Sequence, residues 1–458
     1  MSAAPLQRMS DSLSEHAEKD EPNKDSSKNF LSRRRVAPKA EGVNIQPAEV
    51  EGDENDVFAV TEDGPDYRGV SFSGAIVLLL KQQVGLGVLS LPATLNTLGV
   101  VPGLILIIFF GIVATYGDYV VGQFRVRHPG VHTLGDIGYI VGGKWGRELM
   151  GWGFCLLMCL LCGSGILTTS IALNAITSHA TCTIAFAVVA MVIIMIGASA
   201  RTFQQISWMS WVGISCIIPA ILLVTIACGI SDRPANAPSI GIFDKELKAF
   251  ATPSFVEAMV ALSNVLFAFG GLPGFLPVIA EMKDPRKYTK AMLIVQAISI
   301  ALYIAISVVL WWSCGKYIAS PALGSAGPLV KKIAYGIALP GLLAGPIIFA
   351  HVASKFCFVR LLRGTRHLQE STTTHWVTWL SLVVVITGFS FTISQVIPFF
   401  NYLIGIVGAV LLLYANAVFL FVIGMAILGM GLYASIDGIK NAFAAGEIGR
   451  PFSCADNS

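Results

Sequence analysis

Charged side chains are scarce in this sequence. Of its 458 residues, 13% are Asp, Glu, Lys or Arg, about half of the ~25% typical of soluble globular proteins. Residues 376–436 contain no acidic or basic side chain at all. A chain so poor in charge cannot cover a water-facing surface, which excludes a soluble enzyme, a nucleic-acid-binding protein and a disulfide-rich secreted domain. Hydrophobic residues make up 54% of the chain and the mean hydropathy is +0.70. The sequence therefore predicts an integral membrane protein.

The sequence also lacks a glycine-rich phosphate-binding loop. ATP-driven transport is therefore not expected. Cys155, Cys159 and Cys162 fall on one helical face, but no histidine or carboxylate accompanies them. We interpret them as packing residues rather than metal ligands. The sequence thus indicates no metal and no other cofactor.

The charges that are present divide the chain into regions. Residues 1–66 contain 15 acidic and 8 basic side chains, whereas the rest of the chain contains 13 acidic and 23 basic ones. The first segment has almost no apolar periodicity, and we predict a disordered acidic cytoplasmic tail. Residues 67–436 are predicted to form a transmembrane domain, and residues 437–458 a short C-terminal tail.

Apolar blocks that are long enough to cross a bilayer, about 20 residues each, follow one another from Val70 onward. We count ten or eleven helices, because residues 399–436 fit two spans easily and three only with minimal loops. The short loops place 14 Lys or Arg on one side and 6 on the other. This bias predicts a cytoplasmic N-terminus. The side of the C-terminus stays open, because one more helix reverses it.

Two of the spans are interrupted at membrane depth. The interruptions consist of Gly85, Gly87 and Pro92 in the first span and of Gly270, Gly271 and Pro273 in the sixth. Gly costs about 1 kcal/mol and Pro about 3 kcal/mol relative to Ala inside a helix, so interrupted backbone in lipid indicates a cavity or a bound ligand. The broken helices are five apart, which is the spacing of an inverted repeat whose broken helices meet at a binding site. Glycines that serve close helix packing are the alternative.

The helix ends at these breaks predict the polarity of the ligand. Free N–H groups after Gly87 suit a carboxylate, and free carbonyl groups near residues 83–84 and 267–269 suit an ammonium group. Both together suit a zwitterionic α-amino acid, which glycine allows to approach the backbone. The predicted substrate-binding residues are Gln83, Val84, Gly85, Leu86, Gly87, Asn264, Phe267, Ala268, Phe269, Gly270 and Gly271.

Three ionisable side chains are predicted to act in coupling or gating. Lys81 lies about ten residues into the first span, where it either pairs with a gating carboxylate or replaces a sodium ion; reaching toward the inner vestibule is the alternative. Glu257, near the outer end of the sixth span, is an outer gate, a proton acceptor or a solvated helix start. His351 in the eighth span titrates near neutral pH or is a structural histidine.

Three short motifs add a family resemblance. They are KQQVGLGVLSLP at 81–92, the Gly-Gly-x-Pro break with EMKDP at 281–285, and VIPFF at 396–400. Together they resemble the amino acid/auxin permease family, in its fungal neutral amino acid permease branch, over roughly residues 67–436. The resemblance implies a LeuT-like inverted-repeat bundle, usually of eleven helices, and secondary import of amino acids, commonly with protons. In this sequence, residues 405–436 lack the polar connection expected between a tenth and an eleventh helix.

The same resemblance places the third span beside the site. Ser164 and Thr168 on that span are therefore predicted to contact the substrate, with ordinary helix packing as the alternative.

These observations lead to one functional expectation. We expect a secondary active transporter that imports small neutral L-amino acids by alternating access, with protons as the preferred coupling ion and sodium as the alternative. An exporter of amino acids or related metabolites on the same scaffold is one rival, and a non-transporting membrane receptor or sensor is another. The expected partners are the amino acid and membrane lipid; nothing indicates nucleic acid or an obligate protein partner. The plasma membrane is favoured over the vacuolar membrane.

Overall fold

The computed structural model describes residues 70–128, 131, 134–200, 203–362, 365, 367, 372–397, 400–411, 418–444, 452 and 454. The predicted acidic tail, residues 1–66, lies outside the described residues, as does most of the predicted C-terminal tail.

The described residues form a bundle of α-helices, which we number in chain order. They are α1 (Phe72–Gln83), α2 (Leu91–Leu98), α3 (Val100–Arg127), α4 (Leu134–Thr177), α5 (Thr183–Ala198), α6 (Phe203–Ile230), α7 (Phe255–Ala268), α8 (Leu272–Glu281), α9 (Tyr288–Cys314), α10 (Pro328–Leu362), α11 (Thr373–Val396), α12 (Phe400–Leu411) and α13 (Val418–Ala444).

The lengths of these helices fit a membrane. Within the described residues, six helices are long and apolar enough to cross a bilayer, and the pair α1–α2, bent by 43°, makes a seventh. Helices α5 and α7 are also apolar but have only 16 and 14 residues. The all-helical membrane architecture is confirmed. The total of ten or eleven spans stays a prediction.

Both predicted breaks are confirmed. Helix α1 ends at Gln83, a 3₁₀ turn covers Gly87–Leu89, and α2 then begins at Leu91. Helix α7 ends at Ala268 and α8 begins at Leu272. Each second half-helix carries a proline in its first turn, where a missing N–H breaks no intrahelical hydrogen bond. Glycine and proline therefore divide both spans in the same way.

The long helix α10 packs mainly against α4 and α6. Helix α4 is the most enclosed of the long helices, since 89% of its most apolar stretch is buried, against 28% for α3. An α-helix that is apolar all round and exposed on most of its surface needs a lipid environment. This contrast places α4 in the interior and α3 at the lipid boundary.

The beginning of α1 and the end of α8 are joined by a backbone clasp. The Val70 N–H donates to Glu281 O at 3.1 Å, and the Lys283 N–H donates to Val70 O at 3.0 Å. Buried side chains of α1, α8 and α9, among them Leu79 and Phe275, pack together behind the clasp. Helix α1, which precedes the first break, and helix α8, which follows the second break, are therefore held together as one unit.

The C-terminal region contains α12 and α13, separated by residues 412–417, which lie outside the described part of the chain. Helix α13 continues to Ala444, eight residues past the predicted end of the transmembrane domain. Cys454 forms a disulfide with Cys182, the residue before α5.

Candidate functional site

A cavity of about 60 Å³ lies where the two broken helices meet. Its wall is formed by α1, α4, α6, α7, α8 and α10 and by the connections that follow α1 and α7. A cavity needs roughly 10–15 Å³ to hold one water molecule, so this cavity accommodates a few waters or a small ligand. Gly85, Gly87, Gly270 and Gly271 line it, so backbone atoms form much of its surface.

Gly87 allows the first and sixth spans to touch. A Cβ atom at this position would lie 2.5 Å from Ala268 Cα, which is too close for two non-bonded carbons. Gly85 is different, because a Cβ there would meet nothing within 4 Å. Gly87 is therefore required for helix contact, whereas Gly85 keeps part of the cavity open.

The backbone between α1 and α2 presents free amide groups. The Val84 N–H still bonds to Leu80 O at 2.6 Å, and the Leu89 N–H bonds to Leu86 O at 3.1 Å. Among the described residues, the amides of residues 85–88 have no backbone acceptor. Unpaired N–H groups at a helix start attract anions, and they attract them more strongly where water is excluded. The unpaired amides therefore begin before Gly87, whereas those of Leu89 and Ser90, after Gly87, are paired. Carboxylate binding at this segment stays a prediction.

Tyr303 on α9 connects the two breaks directly. Its hydroxyl lies 2.6 Å from Gln83 O and 2.9 Å from Ala268 O, and its side chain is fully buried. A hydroxyl has one proton and donates to one carbonyl at a time. These carbonyls end α1 and α7, where the sequence predicts free acceptors for an ammonium group, so Tyr303 occupies one of them and leaves the other free. Sequence reasoning missed this residue, although a phenol within an apolar span needs a hydrogen-bond partner.

The Gln83 side chain links the first break to α9. Its Nε2 donates to Gln296 Oε1 at 3.4 Å. Its Oε1 lies against Gly271 at the sixth-span break and has no hydrogen-bond partner in the part of the chain that the structure describes. A buried acceptor without a donor favours a ligand that supplies one.

Lys81 lines the same cavity and is 8% exposed. Its aliphatic stem lies against Gly213 on α6, where a Cβ would come within 2.6 Å of Lys81 Cε. Its Nζ lies toward Gly345 on α10, 3.8 Å from the position of a Cβ there. None of the ion pairs between described residues includes Lys81. The structure thus places this charge between α1, α6 and α10, and its role in coupling stays a prediction.

The structure brings most of the predicted binding residues to the cavity. Those that line it are Gln83, Gly85, Leu86, Gly87, Phe267, Gly270 and Gly271. Val84, Ala268 and Phe269 are buried beside the breaks but do not line it. The wall also contains residues that the sequence analysis did not select, including Met158, Leu161, Ile217 and Phe349. Contact of any of them with a substrate stays a prediction.

Three predicted polar contacts lie elsewhere in the bundle. Ser164 Oγ donates to Leu161 O at 2.8 Å, and Thr168 Oγ1 donates to Ser164 O at 2.7 Å, so both hydroxyls are satisfied within α4. Asn264 Oδ1 lies 3.7 Å from the position of a Cβ at Gly405 on α12. None of the three lines the described cavity.

Glu257 and His351 also lie away from the cavity wall. Glu257 Oε2 accepts from the Ser254 N–H at 2.8 Å and from its Oγ at 3.0 Å, which forms a capping box at the start of α7. His351 is fully buried, with Nδ1 3.4 Å from Ala198 O and its ring edge-on to Trp379 at 5.2 Å. Both side chains therefore have structural partners, and their gating or coupling roles stay predictions.

Comparison of the sequence with known proteins identifies one family. Residues 68–436 match the family model for transmembrane amino acid transporter proteins. A transmembrane transporter from Gibberella moniliformis is 36% identical over 435 residues, which cover 89% of this chain and 92% of the relative. The N amino acid transport system protein of Neurospora crassa is 30% identical over 85% of this chain and 89% of its own length. Among solved structures, MhsT in complex with L-phenylalanine has a TM-score of 0.46 and 14% identity, and the match covers 81% of this chain and 98% of that chain.

Proposed function

The chain belongs to the transmembrane amino acid transporter family, and from this premise we propose that it imports small neutral L-amino acids together with protons by alternating access. The observation that carries the proposal is the cavity at the junction of the two broken helices. Broken helices in a bilayer supply backbone groups for binding polar ligands, and their rocking opens the site to each side in turn.

The proposed binding mode uses the two ends of the amino acid separately. The substrate carboxylate accepts from the free amides of residues 85–88, and the ammonium group donates to whichever of the carbonyl oxygens Gln83 O and Ala268 O the Tyr303 hydroxyl leaves free. The apolar wall residues Met158, Ile217 and Phe267 then face the side chain. A small neutral side chain fits a cavity whose wall is mostly apolar.

Lys81 supports coupling to protons rather than sodium. Its ammonium group already places a positive charge beside the cavity, between α1 and α10. A fixed cation disfavours a second cation nearby, because like charges repel strongly in a medium of low dielectric constant. We further propose that the N-terminus lies in the cytoplasm, as the distribution of Lys and Arg favours, and that the protein acts in the plasma membrane.

Uptake of radiolabelled alanine by cells that express the chain tests this function. We expect uptake above that of empty cells, an increase as external pH falls from 7.5 to 5.5, and a loss when a protonophore collapses the gradient. Replacing sodium with choline is expected to leave uptake unchanged.

Other outcomes separate the rival functions. Efflux from preloaded cells without uptake would identify an exporter. Absence of both uptake and exchange, with the protein present in the plasma membrane, would contradict a transport function for neutral amino acids.

A further inference from the structure

A buried carboxylate lies two hydrogen bonds away from Gln83 in the cavity wall and was not among the predicted site residues. Asp118 on α3 is 2% exposed, and none of the ion pairs between described residues includes it. It lies nine residues from the end of α3 at Arg127, about 13 Å along the helix. A carboxylate buried without a cation is costly in the bilayer region, so an ionisable group at this depth indicates a function.

Two glutamine side chains connect Asp118 to the first break. Gln296 Nε2 on α9 donates to Asp118 Oδ2 at 2.5 Å, and Gln296 Oε1 accepts from Gln83 Nε2 at 3.4 Å. Gln296 is 1% exposed and Gln83 is 3% exposed, so bulk water does not compete for these hydrogen bonds. The relay formed by Asp118, Gln296 and Gln83 ends at Gln83 Oε1, the acceptor without a donor beside Gly271.

Tyr288 is the titratable side chain that faces Asp118. Its hydroxyl on α9 donates to Asp118 O at 3.3 Å. The other titratable residues on the helices packed against α3, namely α2, α7, α8 and α9, are Glu257, Glu281, Lys290, Tyr303 and Cys314. Each of these residues has another partner or faces outward. Glu257 caps α7, Glu281 interacts with Lys355 on α10, and Tyr303 donates to the carbonyls at the breaks. Lys290 is exposed, and Cys314 interacts with Cys228. On α3 itself the titratable residues are Tyr116, Tyr119, Arg125 and Arg127.

We propose that Asp118 takes up the coupling proton and that Gln296 and Gln83 transmit its charge state to the amino acid site. The proposal rests on the transport function proposed above and names the proton site for it. The step is a simple protonation: one proton adds to a carboxylate oxygen of Asp118 and later leaves it.

Protonation of Asp118 also decides which amide atoms of Gln296 and Gln83 donate hydrogen bonds and which accept them. An ionised carboxylate only accepts, so Gln296 must turn Nε2 toward Asp118 and Oε1 toward Gln83. A protonated Asp118 donates to Gln296 Oε1 instead. Both amides then reverse, and Gln83 presents Nε2 to the cavity, where it donates to the substrate carboxylate. Protonation and amino acid binding therefore favour each other, as proton-coupled import requires.

Equilibrium binding of radiolabelled alanine to the purified full-length chain, at pH 5.5 and 7.5, tests this proposal. For the unaltered chain we expect affinity to rise by at least about fivefold at the lower pH, the low end of coupling between sites. Asp118→Asn keeps the shape and resembles the protonated carboxyl. We expect this variant to bind alanine with equal affinity at both pH values, close to the value of the unaltered chain at pH 5.5.

Two further variants make the test specific. Asp232→Asn removes a carboxylate from an exposed loop and should retain the full pH dependence. Gln296→Met interrupts the relay while Asp118 remains, and it should also lose the pH dependence; it serves as the test if Asp118→Asn does not fold.

The outcomes separate the two proposals. Binding that keeps its pH dependence in Asp118→Asn, or binding by the unaltered chain that does not change with pH, would overturn the role of Asp118. Absence of alanine binding by the unaltered chain at either pH would instead contradict the proposed function.

Discussion

Gly85 and Gly87 lie two residues apart and serve different purposes. Gly87 holds the first span against the sixth, because any larger side chain would overlap Ala268. Gly85 lines the cavity with open space around it. The same substitution at the two positions should therefore have different effects on stability and on transport.

Gly87→Ala is expected to destabilise the protein by about 1–3 kcal/mol, the usual cost of overpacking. Gly85→Ala is expected to leave the melting temperature unchanged and to raise the KM for alanine about tenfold, equivalent to ~1.4 kcal/mol of lost binding. Gly388→Ala on α11 also has open space around it and lies away from the cavity, so it is the matched control. Melting temperatures and initial uptake rates check all three. A Gly85→Ala variant with unaltered KM would contradict a substrate at this wall.

Tyr303 provides a second test at the scale of single residues. Tyr303→Phe removes the hydroxyl that engages Gln83 O and Ala268 O, and a buried carbonyl left without a donor costs ~1–3 kcal/mol. We expect uptake to fall about tenfold or more, with a lower melting temperature.

Tyr433→Phe, at a side chain that is 60% exposed on α13, is the control and should behave as the unaltered chain. If Tyr303→Phe transports normally, the two breaks do not depend on this bridge.

Some residues of the cavity could be predicted from the sequence and others could not. Glycine and proline interrupt a helix through local backbone physics, so Gly85, Gly87 and Gly270 could be assigned to the breaks from sequence alone. The hydrogen-bond partners of Gln83 could not be predicted from the sequence. Gln296 and Tyr303 lie more than 200 residues away in sequence, and only tertiary packing brings such residues together.

At the scale of elements, the clasp between Val70 and the end of α8 joins two half-helices that flank the cavity on one side. Apolar packing among Leu79, Phe275 and their neighbours reinforces it. In alternating access, elements that are joined in this way move together. The clasp therefore predicts that α1 and α8 open the cavity on this side as a unit.

Val70→Pro tests this prediction. Proline keeps the carbonyl that accepts from Lys283 but removes the N–H that donates to Glu281. We expect slower uptake, and faster modification by a thiol reagent of a cysteine introduced at Gly274, a residue of the cavity wall.

Val70→Ala keeps both backbone hydrogen bonds and is the control. Equal modification rates in the proline and alanine variants would show that the clasp does not control this side of the cavity.

The helix boundaries show which parts of the fold could be predicted from the sequence. The breaks were placed correctly because glycine and proline mark them. Helix α13 continues through Asp437 and Lys440 to Ala444, past residue 436, where the sequence places the end of the transmembrane domain. That domain boundary stays a prediction. A helix that leaves the membrane continues in water if its residues form helix readily, and charge alone does not mark its end.

At the scale of the whole molecule, the disulfide between Cys182 and Cys454 indicates on which side of the membrane the C-terminus lies. Cys182 directly precedes α5, at the end that faces outward if the N-terminus is cytoplasmic. Disulfides persist on oxidising sides of membranes. The pairing therefore predicts that the C-terminus also lies outside, which requires an odd number of spans and favours eleven over ten.

Epitope tags at the two termini check this arrangement. We expect antibody to reach a C-terminal tag on intact cells and an N-terminal tag only after permeabilisation. Cys454→Ser should leave the C-terminal tag outside, because the helices and not the disulfide set the topology. Both tags hidden in intact cells would indicate an even number of spans.

The central claim is that the two broken helices meet to hold an amino acid. The most direct test is a cryo-electron microscopy map of the purified full-length chain at saturating alanine. We predict density for the amino acid between the segments at 85–87 and 270–271, with its carboxylate toward the free amides of the first break. A map with continuous helices at both positions, or with alanine bound elsewhere and this cavity empty, would contradict the account.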